Sequence, residues 1–240
     1  MGHEEASCRN SEIMYKNRKT AVIICAGGIG ERMDAGKPKQ FIEIDGGNSI
    51  IRKSADAFRS EAVRGLADII VVTAPSGFEE ETEKLVNDGG NEAFLRAEVI
   101  TGGKERQDSV MNALRYLDGF GFEDDGIVLI HDGARPFVTA ETIRNVAEKA
   151  FDEGAAIAAV PVKDTIRDRD LGTLDRSRLY SVQTPQGFRF RLIYDAARKA
   201  SEDGFTGTDD GSLAERAGVM PVIVEGSYGN IKITTPEDLK

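Results

Sequence analysis

Short apolar runs alternate along this chain with stretches whose apolar residues recur every three or four positions, and that alternation predicts an α/β architecture. The runs at Thr20–Ala26, Asp68–Thr73, Ala97–Thr101, Gly126–His131 and Ala155–Val160 read as strands. In the first of them Val22, Ile23 and Ile24 follow without a polar break, as in a parallel strand buried on both faces. Between the runs, Ser49–Arg59, Phe78–Asp88, Glu105–Leu117 and Ala140–Phe151 carry apolar residues at helical spacing; Val110, Ala113, Leu114 and Leu117 share one face. The expected fold is α/β and doubly wound, a mostly parallel sheet with helices on both sides and ligands at the carboxyl ends of the strands.

After Val160 the alternation stops. Pro161–Arg169 and Thr173–Val182 are extended, charge-rich segments joined by Asp170, Leu171 and Gly172, which predicts a protruding β-hairpin arm at about residues 161–182. No repeat or linker divides the remainder, so residues 20–240 are expected to form a single domain. Residues 1–19 lack the apolar middle of a secretory signal and read as a disordered leader.

Composition narrows the function. A formal net charge of −10 argues against general nucleic-acid binding, which needs a basic face. No apolar run reaches the roughly 18 residues of a membrane span. Two cysteines, Cys8 and Cys25, supply neither a disulfide framework nor a four-ligand zinc site, and a reducing cytoplasm is expected. Against this acidic background the cations Arg32, Lys37 and Lys39 stand out, because they follow directly on the glycines Gly27, Gly28 and Gly30 in TAVIICAGGIGERMDAGKPKQF. A strand that runs into such a turn offers backbone N–H groups to phosphate, and the cations add charge for several phosphate oxygens. The turn fits neither common phosphate motif. Met33 stands where the dinucleotide fingerprint needs a third glycine or alanine. Gly30 and Gly36 enclose five residues and Pro38 follows Lys37, which excludes a Walker A loop.

What remains, A-G-G-x-G-x-R-M followed by K-P-K-Q-F, resembles the signature of sugar-phosphate nucleotidyltransferases. Further motifs follow in order: TGGKERQDSV at Thr101–Val110, HDGARPF at His131–Phe137, PVKDTI at Pro161–Ile166, TPQ at Thr184–Gln186, GTDD at Gly207–Asp210 and EGSYGNIKITTPEDL at Glu225–Leu239. Together they are most similar to the 2-C-methyl-D-erythritol 4-phosphate cytidylyltransferases, over residues from about Thr20 to Leu239. The resemblance implies a Rossmann-like nucleotidyltransferase fold, attack of a sugar-phosphate oxygen on the α-phosphate of CTP, release of pyrophosphate, Mg²⁺ as cofactor, and a homodimer whose hairpin arm crosses to the partner. Catalysis of that kind needs positioning and cationic stabilisation rather than a protein nucleophile.

By match to the family motifs, Arg32, Lys39 and Lys232 are expected to neutralise the triphosphate and the transition state. Lys37, two residues from Lys39, reads as surface charge. Ala26, Gly27, Gly28, Gly30, Gly103 and Ser109 are expected to hold CTP, with small residues letting the base lie against backbone. Asp132, Arg135, Thr165, Arg176, Thr184 and Thr208 are expected at the acceptor, Thr165 and Arg176 arriving across the dimer. Mg²⁺ is expected to be held mainly by the triphosphate, with Asp132 as a candidate ligand. Two readings stay open for Arg106, buttressing a loop or pairing with Asp132, and Asp209 can serve as a helix N-cap. His131 reads as a packed structural group, because an ionised phosphate needs no base.

Two departures separate the chain from the family pattern. Gly27 replaces the second alanine of the usual A-A-G start, a feature in which the chain resembles the related ribitol-5-phosphate cytidylyltransferases, whereas PVKDTI, Asp175-Arg176 and GTDD resemble the methylerythritol enzymes. A closing helix is expected to continue from PEDL, where the sequence stops at Lys240. A non-catalytic nucleotide-binding protein is a reading of another class, and intact Arg32, Lys39 and Lys232 oppose it.

Overall fold

In the computed structural model, which describes residues 18–28, 38–44, 46–88 and 95–239, the apolar runs become strands of one sheet. In chain order the elements are β1 (Thr20–Cys25), the two-residue strands β2 (Glu43–Ile44) and β3 (Asn48–Ser49), α1 (Ile50–Ala57), β4 (Ile69–Ala74), α2 (Glu79–Asn87), β5 (Ala97–Thr101), α3 (Arg106–Gly119) and β6 (Ile127–Asp132). There follow α4 (Ala140–Glu153), β7 (Ala155–Pro161), β8 (Arg167–Asp168), β9 (Gly172–Thr173), β10 (Tyr180–Arg189), α5 (Phe190–Glu202), α6 (Asp210–Arg216) and β11 (Val222–Glu225). Seven strands pair in the order β11-β7-β10-β6-β1-β4-β5, and all are parallel to their neighbours except β10.

Successive side chains of β1 point to opposite faces, and both faces are covered. Val22 and Ile24 pack with Ile51, Phe58, Val86 and Val146 from α1, α2 and α4. Ala21 and Ile23 pack with Val110, Leu114, Ile193 and Leu213 from α3, α5 and α6. The helices begin where the sequence supplies caps. Thr139 accepts from Thr142 N at the start of α4, Ser49 accepts from Arg52 N at the start of α1, and Glu105 with Asp108 forms a capping box on α3. Gly154 closes α4 at φ 89°, a left-handed conformation that suits glycine.

The second half of the chain departs from the expectation. Tyr180–Val182, assigned from sequence to the arm, open a ten-residue strand that lies antiparallel between β6 and β7. Its sequence YSVQTPQGFR hides it, because Pro185 and Gly187 disfavour a central strand and the buried Gln183, Thr184 and Gln186 are polar. Those polar groups are engaged in hydrogen bonds that only the assembled fold provides. Within the remaining residues expected for the arm there is a short two-stranded hairpin. β8 pairs with β9, and the turn between them is held by Asp168 Oδ1, which accepts from Asp170 N and Leu171 N. Gly172 lies in β9 rather than in the turn, and Arg176–Arg178 form a short 3₁₀ turn. At the far end, Pro236–Leu239 make a single 3₁₀ turn.

The expected leader lies outside the described residues except for Arg18 and Lys19, which join the folded body: Arg18 pairs with Asp125 at 2.9 Å, and Lys19 O accepts from Ile127 N. Among the described residues no helix is long and apolar enough to cross a membrane.

Candidate active site

The strand order reverses at β1, whose two neighbours are β4 and β6, and the carboxyl ends of β1 and β6 stand side by side with Cys25 opposite Asp132. This is the switch point at which doubly wound sheets bind ligands. From β1 the chain runs through Ala26, Gly27 and Gly28, and the buried Gln40 fixes this turn, its side-chain amide donating to Ala26 O at 2.6 Å and Gly28 O at 3.0 Å. Gly30, Arg32, Met33 and Lys37 lie outside the described residues.

Backbone packs on backbone around this turn. A Cβ added to Gly102 would stand 2.9 Å from Gly27 Cα, and one added to Gly27 would stand 2.7 Å from Ser109 Oγ. At Gly103 a Cβ would meet Asp108 Cβ at 2.1 Å, so no side chain fits there without displacing the start of α3. Ser109 Oγ accepts from Gly103 N at 2.9 Å and donates to Glu105 O at 3.2 Å, which ties the loop to the helix. Gly27, Gly103, Glu105 and Ser109 help to wall a cavity of about 210 Å³ that Lys39, Lys104, Arg106 and Lys232 make cationic. Lys39 Nζ donates to Ile233 O at 3.2 Å, so residues from the two ends of the chain meet here.

Asp132 is the electrostatic centre. Its Oδ1 accepts from Arg106 Nε at 2.9 Å, and its Oδ2 lies 2.9 Å from Lys232 Nζ and 3.5 Å from Arg135 Nε. Burial raises the cost of the carboxylate charge, yet Arg106 and Lys232 outweigh it and hold the group well below the usual carboxylate range. Arg106 also donates through NH2 to Asp210 Oδ2 at 2.7 Å. Burial opposes its charge too, but Asp210 and Asp132 offset that and raise its pKa above the ordinary arginine value.

A second cavity, about 410 Å³, opens on the other side of this cluster toward Val182, Thr184, Gln186, Thr208 and Glu215. Arg106, Asp132 and Lys232 line both cavities. Arg135 lines the larger one; its NH1 donates to Asn230 O at 2.7 Å, and its buried Nε has no hydrogen-bond partner among the described residues.

Of the residues expected at the acceptor, Asp132, Arg135, Thr184 and Thr208 therefore come together. Thr184 does so with its hydroxyl engaged by the protein, accepting from Asp132 N at 3.0 Å and donating to His131 Nδ1 at 3.0 Å. Thr165 and Arg176 lie exposed on the arm, away from both cavities of their own chain, and Arg176 NH1 donates to Lys163 O at 2.7 Å.

His131 is wholly buried, its Nε2–H donating to Arg135 O at 3.0 Å and its ring edge on to Phe58. Burial depresses its pKa to about 4, which makes it a structural imidazole. Asp209 is the N-cap of α6, accepting from Ser212 N at 2.9 Å, and Arg106 does pair with Asp132. Sequence reasoning missed Gln40, Lys104, Asp210 and Asn230. All four lie within recognised motifs, which was the available signal; the last two gain their roles from partners far along the chain.

The comparisons agree with this geometry. The model of the 2-C-methyl-D-erythritol 4-phosphate cytidylyltransferase family matches residues 20–240. The chain belongs to this family. A cytidylyltransferase of that name from Bacillus cereus is 45% identical over 222 residues, covering 91% of this chain and 93% of the relative. The crystal structure of the Francisella tularensis cytidylyltransferase superposes with TM-score 0.77 at 30% identity, covering 92% of this chain and 96% of the other. A 4-diphosphocytidyl-2C-methyl-D-erythritol synthase from Anaerococcus prevotii gives TM-score 0.79 at 29% identity, covering 95% and 96%.

Proposed function

We propose that this chain transfers CMP from CTP to 2-C-methyl-D-erythritol 4-phosphate, releasing pyrophosphate, in the non-mevalonate route to isoprenoid precursors. The observation that carries the reading is the shared wall of Arg106, Asp132 and Lys232 between the two cavities. A nucleotide in the glycine-walled cavity and a polyol phosphate in the larger one place their phosphates at that wall. An oxygen of the ionised acceptor phosphate attacks the α-phosphorus of CTP, and the bond to the β-phosphate breaks with its electron pair leaving on pyrophosphate. Attack by an anion needs no general base, in keeping with a neutral, buried His131.

Lys39, Lys232 and Arg32 neutralise the triphosphate and the charge that develops on the transferring group, which is the main contribution a protein makes to such a reaction. Backbone at Ala26, Gly27, Gly28, Gly30 and Gly103, together with Ser109, holds the nucleotide. Arg135, whose Nε makes no hydrogen bond among the described residues, and Thr208 hold the acceptor. Mg²⁺ supplies further charge neutralisation when bound with the triphosphate. Among the described residues there is no group of three or more His, Cys, Asp or Glu side chains placed to hold a metal, and Asp132 is already shared by three cations. Those residues do not fit a protein-held ion, so Mg²⁺ is assigned to the triphosphate.

The active unit is a homodimer. Ile166, Leu171 and Tyr180 are exposed on the arm and at its root, an apolar surface that the arm leaves uncovered within its own chain. An arm crossing to a partner would bring Thr165 and Arg176 to the partner's larger cavity. A reducing, cytoplasmic setting accords with Cys25 being a free thiol. The deciding assay is pyrophosphate release with CTP and Mg²⁺, in parallel reactions with 2-C-methyl-D-erythritol 4-phosphate and ribitol 5-phosphate. Release with the first alone is expected; release with the second alone overturns the acceptor, and release with neither overturns the reaction.

A further inference from the structure

The carboxylate of Asp210 is almost completely buried, yet it lines neither cavity and is not needed by the helix it begins. Helix α6 is capped by Asp209 Oδ1, which accepts from Ser212 N at 2.9 Å, and by Gln186 Oε1, which accepts from Gly211 N at 2.9 Å. Gln186 Nε2 in turn donates to Asp209 Oδ2 at 2.8 Å, closing the cap on itself. Asp210 Oδ2 instead takes Arg106 NH2 at 2.7 Å. A buried charge unconnected with its own helix is costly to keep unless its partner matters.

We propose that Asp210 is a positioning residue of the transfer reaction, acting through Arg106 and Asp132 on Lys232. The guanidinium is planar and rigid, so holding NH2 on Asp210 fixes the direction of Nε, which donates to Asp132 Oδ1 at 2.9 Å. With that oxygen held, the other oxygen of Asp132 is presented to Lys232 Nζ at 2.9 Å. Lys232 keeps two further N–H donors for a phosphate while it rests there. Four side chains from β6, α3, α6 and the C-terminal segment thus form one relay, of which Arg106, Asp132 and Lys232 line both cavities and Asp210 lines neither. Its negative charge also balances Arg106, which leaves Asp132 to hold Lys232 and Arg135 rather than to neutralise Arg106 alone.

This inference rests on the reaction proposed above, and its test separates the two. Asp210→Asn keeps the shape and removes the charge. It is expected to lower kcat ten- to a hundredfold while KM for CTP changes less than threefold, with Asp210→Glu restoring part of kcat. In a double-mutant cycle, Asp210→Asn added to Lys232→Ala is expected to cost less than threefold beyond Lys232→Ala alone, because the two act on one ammonium. Additive losses, or unchanged kcat in Asp210→Asn, overturn the proposal. Should Asp210→Asn fail to fold, Arg106→Lys is the second variant: its single-headed cation cannot span both carboxylates, and the same kcat-selective loss is expected, with unchanged kcat overturning the proposal. A crystal structure of Asp210→Asn answers without turnover. Departure of Lys232 Nζ from Asp132 Oδ2 supports the relay, and an intact contact overturns it whichever acceptor the enzyme uses.

Discussion

Lys232 Nζ stands 2.9 Å from Asp132 Oδ2, but the two ends of this contact live in different surroundings: the Asp132 side chain is 9% exposed and that of Lys232 is 39% exposed. Their replacements should therefore separate catalysis from stability. Lys232→Ala, like Lys39→Ala, is expected to lower kcat about a hundredfold, as loss of other preorganised charge stabilisers does. Its cost in stability is expected to stay below about 1 kcal/mol, because a half-exposed cation loses little. Asp132→Asn leaves Arg106, Arg135 and Lys232 without their common carboxylate and is expected to cost about 3 kcal/mol of stability as well as activity. Paired urea denaturation and steady-state kinetics check both.

His131 gives the fold an acid limit. Its pKa in the folded protein is about 4 against an ordinary 6.5, so between these values the unfolded chain binds a proton that the folded one refuses. Stability is complete above about pH 6.5 and is lost as pH falls toward 4, by ~3 kcal/mol in all. His131→Gln, which cannot titrate, is expected to flatten that slope in unfolding measurements between pH 7 and 4 while leaving kcat at neutral pH within about threefold.

Gly103→Ala tests the closeness of backbone around the nucleotide. The added methyl would lie 2.1 Å from Asp108 Cβ, and relief requires moving the start of α3 and with it Ser109 and Arg106. An overpacking cost of about 1–3 kcal/mol, drawn from the local structure that grips the nucleotide, corresponds to a rise of about five- to 150-fold in KM for CTP. Kinetics at varied CTP, with circular dichroism to show a retained fold, would measure it.

The arm is tested by mixing subunits. Arg176→Ala and Lys232→Ala are each expected to be nearly inactive. If Arg176 serves the partner's site, heterodimers carry one site with both defects and one with neither, and an equimolar refolded mixture regains about a quarter of wild-type activity, since half the dimers carry one working site in two. Failure to regain activity, with dimers present in solution, would assign Arg176 to its own chain.

Several features were determined by the sequence itself. The β-branched runs specify the buried parallel strands because such strands cannot tolerate a polar face. Local caps such as Ser49, Thr139 and the Glu105–Asp108 pair place the helix starts from neighbours a few residues away. The glycine turn, to which phosphate binding is assigned here as a proposal, is legible for the same reason: backbone chemistry is written in consecutive residues.

Tertiary structure alone decided the rest. Strand β10 became central because its polar side chains found distant partners: Asp132 N and His131 for Thr184, Gly211 N and Asp209 for Gln186, Ser227 for Gln183. No local pattern encodes such bonds. The Asp210–Arg106–Asp132–Lys232 relay likewise joins residues that are remote in sequence; Asp132, Lys232 and the Arg106–Asp132 pair were legible from their motifs, but Asp210 gains its partner only when α6 closes on α3. Periodicity reports which face of an element is buried, whereas the pairing of buried charges depends on which elements meet, and that is fixed only when the chain has folded.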